Sequence, residues 1–166
     1  MDTNAEKKTL ELSAIELFLL IYNKNHSDPH RLLRLQDQPD AVLEDEEGNP
    51  LGMEITHLFY DSLEAKMLMG KTDSRELPPE HLDFLIAGLN NLIHAKEEKR
   101  MYYSHDYPVS LLIRNTSLIF GLSDLLRKKS LIYKSTGFFK DIWLLSRDDS
   151  SEWFLFNLDR LHQAYQ

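Results

Sequence analysis

No cysteine occurs in the 166 residues, which excludes disulfides and thiolate metal sites. No apolar run approaches the ~20 residues that a membrane-spanning helix needs. The opening Met1-Asp2-Thr3-Asn4-Ala5-Glu6 is polar and partly acidic, unlike a signal peptide. No repeat, low-complexity segment or linker divides the chain. The expectation is therefore one cytoplasmic domain spanning residues 1–166, without a membrane partner. Basic residues are also short: 19 Lys+Arg stand against 27 Asp+Glu, a net charge of −8. That balance weighs against broad, non-specific nucleic-acid binding, which needs a basic face. The deficit is uneven, with 8 basic and 18 acidic residues in positions 1–95 and 11 and 9 in positions 96–166. A nucleic-acid partner thus stays open. The densest acidic run, Glu44-Asp45-Glu46-Glu47, reads as a solvated hairpin tip.

Several motifs of established chemistry are missing as well. There is no His-Glu-x-x-His pattern, and His26 and His30 are separated by Pro29, so they share no helix face. Gly70-Lys71-Thr72 looks like the end of a phosphate loop, but Ala65 stands where its first glycine belongs. No serine sits in a nucleophile-elbow context. His57 reads as a structural histidine.

What is present is an ordered alternation of periodicities. Leu12, Ile15, Leu19 and Tyr22 recur at helical steps, with Phe18 and Leu20 widening the stripe, and predict a helix over residues 9–22. Short strands are expected over 32–35, 41–45 and 51–59, the last two forming a hairpin around Gly48-Asn49-Pro50. Residues 60–77 read as a loop or a partial helix. Pro78-Pro79-Glu80 opens the longest helix, to about residue 103, with Leu82, Leu85, Ile86, Leu89, Ile93 and Lys96 along one face. A two-sided strand over 107–115, a helix over 118–129, strands over 141–146 and 152–158 and a short terminal helix complete the chain. The order helix, three strands, helix, strand, helix, two strands predicts an α/β fold, a central mixed sheet flanked by helices.

Two acids stand out on the hairpin. Asp40 directly precedes the apolar run Ala41-Val42-Leu43, and Glu54 lies inside the alternating run Met53-Glu54-Ile55-Thr56. A buried carboxylate is costly unless something pairs with it, and a divalent cation held between two carboxylates is one such partner. Hard oxygen donors suit Mg²⁺ or Mn²⁺, with the Ile55 carbonyl as a natural third ligand. Phosphodiester hydrolysis uses such a cation to stabilise charge on the phosphoryl group and to lower the pKa of water.

Pro39-Asp40 followed by Glu54-Ile55-Thr56, in this element order, resembles the PD-(D/E)XK nuclease superfamily. The resemblance covers most of the chain by element order and rests on few residues. It implies a restriction-endonuclease-like fold in which Asp40 and Glu54 bind Mg²⁺. The family's lysine two residues after the second acid is replaced here by Thr56. Some branches with a Glu-x-Thr variant recruit a basic residue from the following helix, and Lys96, which continues that helix's apolar face, matches, with Lys99 nearby. The resemblance implies Asp40, Glu54, Thr56 and Lys96 as catalytic residues, Asp40, Glu54 and Ile55 as metal ligands, and Gln38 and Lys99 in support. The glutamate that the family's first helix often supplies would be Glu16. Two readings follow: a Mg²⁺-dependent nuclease, or the same fold kept without catalysis as an interaction or nucleic-acid-binding module, as a homodimer.

Overall fold

The computed structural model describes residues 3–59, 79–103 and 105–162. Helix α1 spans Thr3–Asn25, strands β1, β2 and β3 span His30–Leu35, Ala41–Asp45 and Pro50–Leu58, and helix α2 spans Pro79–Glu98. Strand β4 (Val109–Asn115), helix α3 (Leu122–Arg127), strand β5 (Ile142–Arg147) and strand β6 (Trp153–Asn157) follow. Short 3-10 turns occupy Arg100–Tyr102, Lys129–Leu131 and Leu158–His162. The fold is α/β, as the element order predicts. The expected loop or partial helix over 60–77 and the end of the terminal helix lie outside the described residues. Among the described residues no helix is long and apolar enough to cross a membrane.

The six strands form one sheet in chain order, β1 to β6. β1–β2, β2–β3 and β5–β6 are antiparallel, whereas β3–β4 and β4–β5 are parallel. The hairpin between β2 and β3 closes through Asp45, whose side chain accepts the Glu47 and Asn49 amides at 3.0 and 2.9 Å, and Gly48 supplies φ +81. The middle of β4, Leu111-Leu112-Ile113, is apolar because strands flank it on both sides and helices cover both of its faces. Leu111 and Ile113 pack with Leu85, Ile86, Leu89 and Ile93 of α2. On the opposite face Leu112 packs with Met53, Ile55, Trp143, Leu145 and the α1 residues Ala14, Ile15 and Phe18.

Two helices differ from the sequence reading. The most buried residues of α1 are Glu11, Ala14, Ile15 and Phe18, so its inward stripe is rotated from the Leu12-Ile15-Leu19-Tyr22 line, and Leu20 is 70% exposed. The helix expected over 118–129 begins at Leu122, because Ser117 Oγ accepts the Ile119 and Phe120 amides at 3.2 and 3.0 Å and holds that stretch as a turn.

Candidate functional site

The register that pairs Ala41 with Met53 makes Asp40 and Glu54 the next residues outward, where β2 starts and β3 runs on alone towards its C-terminal end. The two acids therefore meet at a notch in the sheet. Both are almost fully buried, at 7% and 5% exposure. The Asp40 amide donates to Glu54 Oε1 at 3.3 Å, and the Ile55 amide donates to Asp40 Oδ2 at 2.8 Å. A residue's N–H and C=O leave a strand from the same edge, so the Ile55 carbonyl also faces this notch, where the β2 ladder has ended.

Lys96 reaches the pair from the last turn of α2. Its Nζ donates to Glu54 Oε2 at 3.2 Å. Continuing the Leu82-to-Ile93 face is what aims it inward, and the apolar stem lies along that face while the ammonium meets the carboxylate. Tyr103, just past the 3-10 turn, donates its hydroxyl to the same Oε2 at 2.8 Å.

Burial is the largest influence raising the Asp40 carboxyl, to about 8, and its hydrogen bond to Glu54 and the nearby Glu54 charge add to it. Burial alone would raise Glu54 too, but the hydrogen bond from Asp40, the Lys96 charge and the Tyr103 and Lys96 hydrogen bonds outweigh it and hold Glu54 low. Near neutral pH the pair thus holds one proton, on Asp40, shared towards an ionised Glu54. Burial, then the Glu54 charge, also raises Tyr103, which keeps that hydroxyl a donor.

The pair opens into a pocket of about 630 Å³ whose lining includes Thr56, Gln38, Lys99, His57 and Phe59. Thr56 is half-buried and Lys99 exposed. Gln38 takes φ +49, a conformation that costs a non-glycine residue about 1 kcal/mol, as the chain turns to seat Pro39 against Gly52. A Cβ built at Gly52 would stand 2.8 Å from Pro39 Cγ, so glycine there is required by close approach.

Glu16 is exposed on α1 and is not among the residues that line the pocket. Glu11 is 2% exposed, lines the pocket, and both of its carboxylate oxygens are buried without a hydrogen bond among the described residues. Lys7 and Lys8 approach only to 3.7 Å. Tyr103 and Glu11 are the two site residues that the sequence reading missed. Glu11 would have followed from centring the α1 stripe on Ala14 and Phe18. For Tyr103 the one signal was its place just beyond Lys96.

Two carboxylates and one carbonyl, with waters completing the shell, form a donor set that suits a hard divalent cation. Among the described residues no three acidic, histidine or cysteine side chains form a group that could hold a metal ion. Comparison of the chain with protein-family models, curated proteins and solved structures yields no match.

Proposed function

We propose that the protein is a divalent-metal-dependent phosphodiesterase acting on nucleic acid, a nuclease of restriction-endonuclease-like fold in which Lys96 replaces the lysine missing at Thr56. The observation that carries the reading is the Lys96–Glu54 contact of 3.2 Å, which brings a cation from α2 to a buried pair of acids at a pocket mouth. Asp40, Glu54 and the Ile55 carbonyl are the residues that would hold Mg²⁺ or Mn²⁺. The metal supplies charge stabilisation at the phosphoryl group and lowers the pKa of water. Lys96 offsets charge on the scissile phosphate, as a compact ammonium does well. Tyr103 fixes the Glu54 carboxylate through Oε2, and the Thr56 hydroxyl orients a water.

Metal binding must displace the proton on Asp40, so activity should rise through neutral pH and need a higher metal concentration for half-activation at low pH. The test is hydrolysis of single- and double-stranded DNA and RNA while Mg²⁺ or Mn²⁺ is titrated, with Asp40→Ala and Glu54→Ala alongside. Loss of a metal-dependent activity in both variants supports the reading. Equal activity in wild type and variants, or none with any substrate, removes it. The replacement of lysine by Thr56 favours the second reading, a non-catalytic module in which Lys96 and Glu54 serve as a structural ion pair. Mg²⁺ would then leave the melting temperature of the wild type unchanged.

A further inference from the structure

Beyond the notch, the C-terminal ends of β4 and β5 carry a second group of charged residues. Arg114 and Arg147 each place the guanidinium carbon 5.0 Å from the centroid of the Trp153 ring. Arg147 faces Trp153 directly across the β5–β6 ladder. The Arg114 Nε is buried without a hydrogen-bond partner. Among the described residues neither guanidinium has a carboxylate within ion-pair distance. Two like charges stacked on one indole repel each other, and burial, then the Arg147 charge, lowers the affinity of Arg114 for its proton. Cation–π contact offsets only ~1–2 kcal/mol of such a cost. An unpaired buried donor on a guanidinium calls for an explanation, and a bound anion held by the rest of the guanidinium is one.

The position supplies one. Arg114 is the register partner of His57 on the neighbouring parallel strand, and His57 lines the Asp40–Glu54 pocket. By strand alternation Arg114 and Arg147 lie with Ile55, His57 and Trp153 on the face that α1 covers, whereas Glu54 meets Lys96 on the α2 face. Along the C-terminal ends of the strands, spacing and rise put Arg114 roughly 8 Å and Arg147 roughly 16 Å from Ile55 at the backbone. These are one to three phosphate steps along a nucleic-acid strand. The pocket itself is lined by five acids and three lysines, so its own side chains supply no net positive charge to draw in a polyanion. A nuclease acting there needs its affinity from outside the pocket.

We infer that Arg114 and Arg147, held on the Trp153 ring, bind the phosphodiester backbone of a nucleic-acid strand next to the phosphate positioned at Asp40 and Glu54. Planar guanidiniums match phosphate oxygens in bidentate fashion. The inference rests on the proposed reaction for its substrate class, but its test does not depend on hydrolysis.

Binding of a fluorescein-labelled single-stranded oligodeoxynucleotide is measured by anisotropy in EDTA, using the full chain with Asp40→Asn. The salt series runs from about 50 to 200 mM. Adding Arg114→Gln and Arg147→Gln should weaken binding at least ~10-fold and reduce the slope of log K against log salt by roughly 1.4, about 0.7 for each lost phosphate contact. The paired lysine substitutions should keep the slope. Emission from Trp153 should change on titration with the oligonucleotide, and Trp153→Phe should abolish that change, leaving the buried Trp143 as the remaining tryptophan. If the double variant does not fold, Arg147→Glu alone, on the half-buried member, should give the same loss. Unchanged affinity and slope in a folded variant overturn the inference. So does displacement of the oligonucleotide by inorganic phosphate at equal phosphate concentration, which would mark a free-anion site. If wild type hydrolyses nothing while the arginine variants still lose binding, the reaction falls and this site stands. If wild type hydrolyses and the arginine variants leave binding and KM unchanged, this site falls alone.

Discussion

Replacing Asp40 by Asn tests the shared proton directly. In the folded protein the Asp40 carboxyl is raised to about 8 from an ordinary 3.8. Between those values the folded state holds a proton that the unfolded state has lost. Stability from this group is therefore fully present below pH 3.8 and is lost as pH rises through about 8. Glu54, held low, acts in the opposite sense, but only in the acid range below its ordinary value. One proton is worth about 1.36 kcal/mol per pH unit, an upper limit of about 2.7 kcal/mol between pH 6 and pH 8. Relaxation and water entry at the pocket mouth reduce this to ~1–1.5 kcal/mol, or about 3–6 °C in melting temperature for a chain of this size. An asparagine amide can donate to Glu54 where the proton was shared, and its carbonyl can accept the Ile55 amide. Asp40→Asn should therefore fold, and its melting temperature relative to wild type should rise by that amount between pH 6 and pH 8 in EDTA. Thermal unfolding by circular dichroism across this range is the assay, and the comparison cancels the histidines common to both proteins. A difference independent of pH would refute the shared proton. Mg²⁺ at about ten times its Kd should raise wild type at pH 8 by ~1.4 kcal/mol and leave Asp40→Asn unaffected.

Lys96→Met should lower hydrolysis at least ~100-fold and also destabilise the fold, by up to ~3–5 kcal/mol, because the buried Glu54 loses its cation; single-turnover rates and urea unfolding check it. Glu11→Gln should weaken Mg²⁺ activation ~10-fold, whereas Glu16→Gln, on the exposed side of α1, should change neither activity nor stability beyond ~0.5 kcal/mol. Equal effects at the two positions would refute the placement of Glu11. Gly52→Ala should cost ~1–3 kcal/mol in urea unfolding, because the added carbon meets Pro39 Cγ at 2.8 Å and displaces the residue preceding Asp40.

Much of this site was legible in the sequence. The hairpin was, because turn residues and strict alternation fix a register, and the register alone brings Asp40 to Glu54. Lys96 was legible because the α2 stripe is clean, so one further helical step states where its side chain points. Glu11 was not, because α1 is apolar on several sides: Leu10, Leu12, Leu17, Leu19 and Leu20 compete with Ala14 and Phe18 to define the inner face. A rotation of one residue exchanges an inward glutamate for an outward one. The ends of the short helix were misread because Ser117 satisfies amides with its side chain, a local bond that periodicity does not register.

Both bonds that hold Glu54 from outside the hairpin come from the far side of the crossover, across 42 and 49 residues of chain for Lys96 and Tyr103. The hairpin can form from local contacts, but until α2 docks, Glu54 has neither its cation nor its phenol. The acids and their charge balance come from segments far apart in the chain. Local opening of α2 would therefore strip Glu54 of both partners while the sheet stayed intact, and amide exchange at the end of α2 would report the fraction of molecules in which the proposed site is assembled.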